Sequence, residues 1–274
     1  MTPLQEKKHF DTFGFIVKRE LFRSEEMERF SDWYNDGFDA KCGPWDGSGY
    51  SQSFVPGIGL HEGFCDQYLA NPRLLDTLEN LMGKGFLMLG SDAQRFTAET
   101  PWHRDTAEKP MEPESSVDFL ILKVVMYLDD LSEGPGCLSI MPGSHHKDCH
   151  KALQNVLRDR DQPIWSGGVT GAGVPPNKVP GAVLTRTKPG DIIFFNQRCF
   201  HSSWGGWLGR RYLGMTFGQK PTEEWHVEWI AHDCEQSHKL HSAPPYSEWL
   251  VKTENRHLQK LIDFILDKGF YKST

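Results

Sequence analysis

Two hydrophobic periods divide the chain. His9 to Val17 reads as a short helix that turns into a strand at Gly14. Behind Ser24, which has N-cap chemistry and is followed by Glu25 and Glu26 where a helix dipole favours anions, Met27, Phe30, Trp33 and Tyr34 recur at helical spacing. Gly43, Pro44, Gly47, Gly49, Pro56, Gly57 and Gly59 make residues 42–63 a loop. A second helix is predicted over about Pro72 to Met82, with Leu74, Leu75, Leu78 and Leu81 on one side. From Phe86 the period changes. Phe86 to Phe96 is strand-like, and Phe119 to Tyr127 is an apolar run interrupted only by Lys123, as in a buried strand. Cys137 to Ile140 gives a short strand closed by Pro142-Gly143-Ser144-His145. Further strands are predicted at Ala182–Thr187, from Ile192 through Phe195 to His201, and at Arg210–Phe217, before a terminal helix carrying Leu258, Leu261, Ile262 and Ile265 with Gly269 at its C′ position.

Helices at both ends of a series of short strands and turns predict a mainly β fold with flanking helices, a jelly-roll barrel with helical buttresses. The 274 residues are long enough for one large domain. Within a single domain over 1–274, the Gly/Pro-rich stretch 158–182 is too long for an ordinary connection and is expected to cover a site as a lid. Residues 221–274 form a C-terminal helical extension whose Trp225, His226, Trp229, His232 and His238 are expected to pack, with the lining of a pocket as the alternative.

Composition narrows the function classes. A net charge of −7 argues against nucleic acid, which needs a basic stripe to meet phosphates. No run of eighteen apolar residues exists to span a membrane, and the first thirty residues lack the apolar core of a signal peptide. The six cysteines show no Cys-x-x-Cys pairing, so reduced thiols in a cytoplasmic protein are expected. Nothing in the chain fixes an oligomeric state.

The candidate chemistry starts at Trp102-His103-Arg104-Asp105. Side chains two apart on a strand share a face, so His103 and Asp105 can act together. A second imidazole from a later strand, His201, would complete two histidines and one carboxylate on one side of a metal, the facial arrangement of non-haem Fe(II) oxygenases. The His-x-Asp spacing alone is common. Arg210 and Arg211 add to it, because a dicarboxylate co-substrate chelating the metal at one end needs a bidentate cation at the other. Arg210 shares a strand face with Tyr212, Gly214 and Thr216, whereas Arg211 shares one with Leu213, Met215 and Phe217. The small polar set is expected to face the ligand and the apolar set the helices, which favours Arg210. Ser203, two past His201, shares its face and could donate to the same carboxylate.

This ordered series, with Tyr127-Leu128-Asp129-Asp130, Gly136-Cys137-Leu138, Pro142-Gly143-Ser144-His145, Gly190-Asp191 and Phe194-Phe195 between the sites, closely resembles the phytanoyl-CoA dioxygenase-like Fe(II)/2-oxoglutarate oxygenases over roughly residues 8–220. The resemblance implies a double-stranded β-helix, a cupin-like jelly roll, with Fe(II) on His103, Asp105 and His201. It also implies 2-oxoglutarate anchored by Arg210 with Ser203, O2 as oxidant, and a structural His145. Because Asp105 keeps the carboxylate that related halogenases lack, it implies hydroxylation, desaturation or cyclisation of an unactivated C–H. The nine-residue step from His201 to Arg210 is shorter than the family's usual spacing, so Arg211 stays open as the anchor. A zinc-dependent hydrolase-type site and a non-catalytic binding module remain alternatives.

For the primary substrate, Asp92 and Gln94 share a strand face, and Lys123 needs a partner or ligand in its apolar run. Trp165 would come from the lid. Such a lining suits a small polar or zwitterionic metabolite or natural product better than an acyl-CoA, whose phosphates want cations. An acyl-CoA hydroxylase is the alternative within oxygenases.

Overall fold

Antiparallel pairing builds two sheets in the computed structural model, which describes residues 1–47, 51–96, 99–105, 119–133, 136–157, 178–203, 205 and 209–270. Helix α1 (Pro3–Phe13) ends at Gly14 in the left-handed region and enters β1 (Phe15–Lys18). Helix α2 (Ser24–Cys42) is followed by β2 (Ser51–Phe54), a 3₁₀ turn over Gly57–Leu60, a π-helical turn over Phe64–Leu69 and α3 (Pro72–Met82). The strands β3 (Leu87–Phe96), β4 (Thr100–His103), β5 (Ile121–Tyr127) and β6 (Leu138–Ile140) come next, then α4 (Lys147–Leu157). After β7 (Val183–Thr185), β8 (Ile192–Asn196), β9 (His201–Ser203) and β10 (Arg210–Gly218), the chain closes with α5 (Glu224–His241), α6 (Glu248–Val251) and α7 (Arg256–Lys268).

The larger sheet has the order β1-β8-β5-β10-β3-β2 and the smaller β4-β9-β6-β7. Their hydrogen bonds do not join them into a closed barrel among the described residues. Alternation sorts each strand of the large sheet between two environments. Leu122, Val124 and Met126 of β5, with Leu213, Met215 and Phe217 of β10, join the core against α1, α2, α3 and α7. Val125 and Tyr127 point the other way and pack between the sheets with Leu138, Ile140, Ile193 and Phe195.

Several elements depart from the sequence pattern. The expected loop 42–63 contains β2, a mostly polar edge strand that pairs with β3 and so shows no apolar alternation. The cap of α2 is Arg23, not Ser24, because the Glu26 carboxylate turns back to accept from the Arg23 amide at 2.7 Å. The run from Ile192 to His201 is not one strand. It breaks after Asn196, whose carbonyl accepts from the Cys199 amide and whose side chain accepts from the Arg198 amide, and resumes in the other sheet. Of the expected lid 158–182, residues 158–177, including Trp165, lie outside the described residues. Within the C-terminal extension, the Trp/His-rich stretch forms α5, where Trp229 is buried and His226 stacks on Phe119 with ring centroids 4.4 Å apart. Among the described residues no helix is long and apolar enough to cross a membrane, and all six cysteines are free thiols.

Candidate active site

His103 ends β4 and His201 begins β9, and the two are directly opposite in the register of the small sheet. Their ring centroids lie 4.2 Å apart. Past the end of β4, the amide of Asp105 donates to the Gln197 carbonyl at 3.2 Å, which turns its carboxylate back toward both imidazoles. Asp105 Oδ1 lies 3.5 Å from His103 Nε2 and 3.4 Å from His201 Nε2. One ligand atom from each residue falls within 4.8 Å of the others, a grouping no other set of His, Cys, Asp or Glu achieves among the described residues.

The tautomers follow from the backbone. Nδ1 of His103 bonds the Pro101 carbonyl at 2.8 Å, and Nδ1 of His201 bonds the Cys199 carbonyl at 3.0 Å. A carbonyl only accepts, so each Nδ1 carries the hydrogen and each Nε2 presents a lone pair. Burial, and after it the neighbouring His103, pushes the pKa of His201 down and keeps its ring neutral. Burial alone would raise the pKa of Asp105, but the adjoining His201 and His103 outweigh it and hold the carboxyl well below its usual range. Two imidazoles that turn Nε2 toward one carboxylate are the donor set of a divalent transition metal with open positions on its far side.

Arg210 enters the space between the sheets from the start of β10 and is 1 % exposed. Its Nη1 donates to the Gly136 carbonyl at 2.7 Å and its Nη2 to Ser203 Oγ at 3.3 Å, while the buried Nε has no partner. Its guanidinium lies 5.1 Å from the Phe96 ring centroid and 5.7 Å from that of Tyr127. No carboxylate among the described residues pairs with it. A buried cation without an anion is costly, so the site fits an anionic ligand group. Ser203 Oγ accepts from the Thr100 amide and donates to Thr100 Oγ1, both at 3.0 Å.

Arg211 is placed elsewhere. Its guanidinium forms a 2.8 Å ion pair with Asp129 and donates to Ser31 Oγ at 2.6 Å, so it braces β10 against α2 instead of facing the cleft. Strand parity thus separates the two arginines, and Arg211, left open as an anchor by the sequence, is engaged by Asp129 and Ser31.

The cleft encloses about 590 Å³, part of it open to solvent, and its lining includes the triad, Arg210, Ser203, Asp92, Gln94 and Lys123. Lys123 is paired with Asp92 at 2.7 Å, and Gln94 Nε2 donates to the other Asp92 oxygen at 3.3 Å. His145 lies outside, bonded to the Asp11 carbonyl at 3.1 Å and beside Cys199 Sγ at 3.7 Å. Sequence reasoning missed Thr100, Phe96 and Tyr127 as lining residues. Thr100 could not have been found, because a register irregularity between Thr100 and His103 breaks the parity that relates them. Tyr212 was placed on the ligand-facing side of its strand but was not singled out.

The family model for phytanoyl-CoA dioxygenase (PhyH) matches residues 10–205. The chain is 24 % identical over 226 residues to the peroxisomal phytanoyl-CoA dioxygenase of Mus musculus and 22 % identical over 224 residues to that of Homo sapiens, in each case over 73 % of this chain. It spans 63 % of the length of these curated relatives. Among solved structures, HygX from Streptomyces hygroscopicus with nickel and 2-oxoglutarate bound shares the fold at a TM-score of 0.59 and 16 % identity, over 79 % of this chain and 86 % of its own. The α-ketoglutarate-dependent carbocyclase SnoK from nogalamycin biosynthesis does so at 0.57 and 17 %, over 78 % and 83 %.

Proposed function

Because this chain belongs to the phytanoyl-CoA dioxygenase family, we propose that it is a non-haem Fe(II)- and 2-oxoglutarate-dependent oxygenase, with His103, Asp105 and His201 as the metal ligands. The observation that carries this reading is a three-residue ligand set beside a buried arginine that pairs with no carboxylate among the described residues. Bound there, Fe(II), 2-oxoglutarate and O2 would supply oxidative decarboxylation to succinate and CO2 coupled to oxidation of a substrate C–H bond.

The chain's residues have the following parts. His103 and His201, locked by the carbonyls of Pro101 and Cys199, offer Nε2 lone pairs, and Asp105 adds one negative charge. Arg210 takes the distal carboxylate of 2-oxoglutarate, using the unpartnered Nε, with the hydroxyls of Ser203 and Thr100 alongside. The rings of Phe96 and Tyr127 flank that guanidinium and keep water from it, which strengthens the ion pair. Asp92, Gln94 and Lys123 form the wall that meets the primary substrate, a small polar metabolite or natural product. HygX, a structural neighbour, has been crystallised with hygromycin B as well as nickel and 2-oxoglutarate, which supports that substrate class. Residues 1–274 act as one domain, a reading supported by a single hydrophobic cluster that includes residues from Phe10 of α1 to Ile265 of α7.

The test is aerobic turnover of 2-oxoglutarate with Fe(II) or Zn(II). The expected result is O2 uptake and succinate formation with Fe(II) alone. A protein that forms no succinate with Fe(II), yet hydrolyses ester or amide probes with Zn(II), contradicts the proposal.

A further inference from the structure

The wall of the cleft away from Arg210 has an unusual charge balance. Lys123 projects from an apolar strand, and its ammonium is closed by Asp92 at 2.7 Å. Gln94 Nε2 bonds the second Asp92 oxygen at 3.3 Å. Lys123 and Asp92 therefore cancel each other's charge, and Gln94 adds none. A bound metal with its Asp105 ligand, and a 2-oxoglutarate dianion with Arg210, cancel one another in the same way. Among the described lining residues no further lysine or arginine is left over for an anionic substrate.

What is left are uncharged hydrogen-bonding groups. The Tyr212 phenol lines the cleft and has no hydrogen-bond partner among the described residues. Its ring is wedged between Phe96 and Tyr127, with centroids 6.1 and 5.8 Å away. The phenol lies along its own strand over Gly214. A Cβ at Gly214 would come within 2.1 Å of Tyr212 Oη, 2.6 Å of Cζ and 2.9 Å of Asp92 Oδ1. Any side chain there would lift the ring off the sheet, so the glycine sets where the hydroxyl points. Burial and then the Asp92 and Asp105 charges push the phenol well above its ordinary pKa, so it stays an O–H that can both donate and accept.

We propose that Tyr212, seated on Gly214, and the Asp92–Lys123–Gln94 group form a charge-neutral hydrogen-bonding subsite that selects an uncharged, multiply hydroxylated substrate over a carboxylate- or phosphate-bearing one. This deepens the oxygenase reading and rests on it. Adjacent hydroxyls can each donate to Asp92 or the Gln94 carbonyl and accept from Lys123 or Tyr212. A phosphate would have to compete with Asp92 for Lys123 and would leave that carboxylate uncompensated.

The experiment is calorimetric titration of protein loaded with Ni(II) and 2-oxoglutarate. The probes are uncharged polyols (myo-inositol, methyl glucoside, sucrose), the phosphates of the first two, and hexanoyl-CoA. At least one uncharged polyol is expected to bind, and its charged counterpart to bind at least tenfold more weakly. Tyr212→Phe, which keeps the ring and its packing, should weaken the polyol by roughly 5–100-fold, as should Gly214→Ala. Tighter binding of a phosphate or of hexanoyl-CoA, no binding by any polyol, or an affinity within twofold in Tyr212→Phe overturns the proposal. Failure of the Ni(II)-loaded protein to bind 2-oxoglutarate at all would instead contradict the oxygenase reading beneath it.

Discussion

At neighbouring positions of β10, Arg210 lies buried in the cleft with no carboxylate partner among the described residues, whereas Arg211 is closed by Asp129 and Ser31. Replacing each should therefore have different effects. Arg210→Ala is expected to weaken 2-oxoglutarate binding roughly 10–1000-fold, from about 2–4 kcal/mol for truncating a buried charged pair, while metal binding survives. Arg211→Ala should instead lower stability by about 1–3 kcal/mol in urea unfolding, with 2-oxoglutarate affinity nearly intact. Binding titrations on both variants check the pair. The reverse pattern would move the anchor to Arg211. This distinction was legible in the sequence through period-2 alternation alone. The pairing of Lys123 with Asp92 was not, because it depends on β3 and β5 both flanking β10. His145 supplies a second residue-level test. Burial, and after it His146, pushes its pKa down to about 4, below the ordinary value of 6.5. The unfolded chain thus takes up the proton first, and stability is lost as pH falls from about 6.5 to about 4. The contribution is on the order of 1–3 kcal/mol. Unfolding of the metal-free protein across that range should show a steeper pH slope in the wild type than in His145→Gln.

Elements with a clean period were readable: α3 falls where its leucine spacing puts it, and β3, β5 and β10 lie close to their expected limits. Elements defined by long-range pairing were not. Strand β2 exists because β3 offers a free edge, and the division of 192–203 into β8 and β9 exists because the chain crosses from one sheet to the other. That crossing places His201, since β9 is held between β4 and β6. Its approach is fixed from the N-terminal side by Gly14, which ends α1 at φ 81°. A Cβ there would come within 2.3 Å of Cys199 Sγ and 2.5 Å of His145 Nδ1. Gly14→Ala is expected to cost about 3 kcal/mol or more, from the left-handed backbone and the clash together. It should also weaken Ni(II) binding, because Cys199 carries the carbonyl that orients His201. Unchanged Ni(II) affinity in the folded variant would show that this packing does not govern the ligand.

Across the whole molecule, the candidate ligands come from different layers. His103, His201 and Ser203 belong to the small sheet, and Arg210, Lys123 and Asp92 to the large one. A metal with 2-oxoglutarate would therefore tie the sheets together, and the two should stabilise the fold by more than metal alone. Mass action gives about 2.7 kcal/mol for a ligand at 100 times its Kd. A thermal melt with Ni(II), with and without 2-oxoglutarate, should show the second increment in the wild type and lose it in Arg210→Ala.

The most direct test is anaerobic titration of the apo-protein with Fe(II) and 2-oxoglutarate, followed by visible absorption. Chelation of the keto acid by Fe(II) on His103, Asp105 and His201 predicts a metal-to-ligand charge-transfer band. That band should saturate at one 2-oxoglutarate per chain, vanish in His103→Ala and His201→Ala, and need far more 2-oxoglutarate in Arg210→Ala. A wild-type protein that binds Fe(II) but shows no band at saturating 2-oxoglutarate, or a band that persists in His201→Ala, would contradict the account.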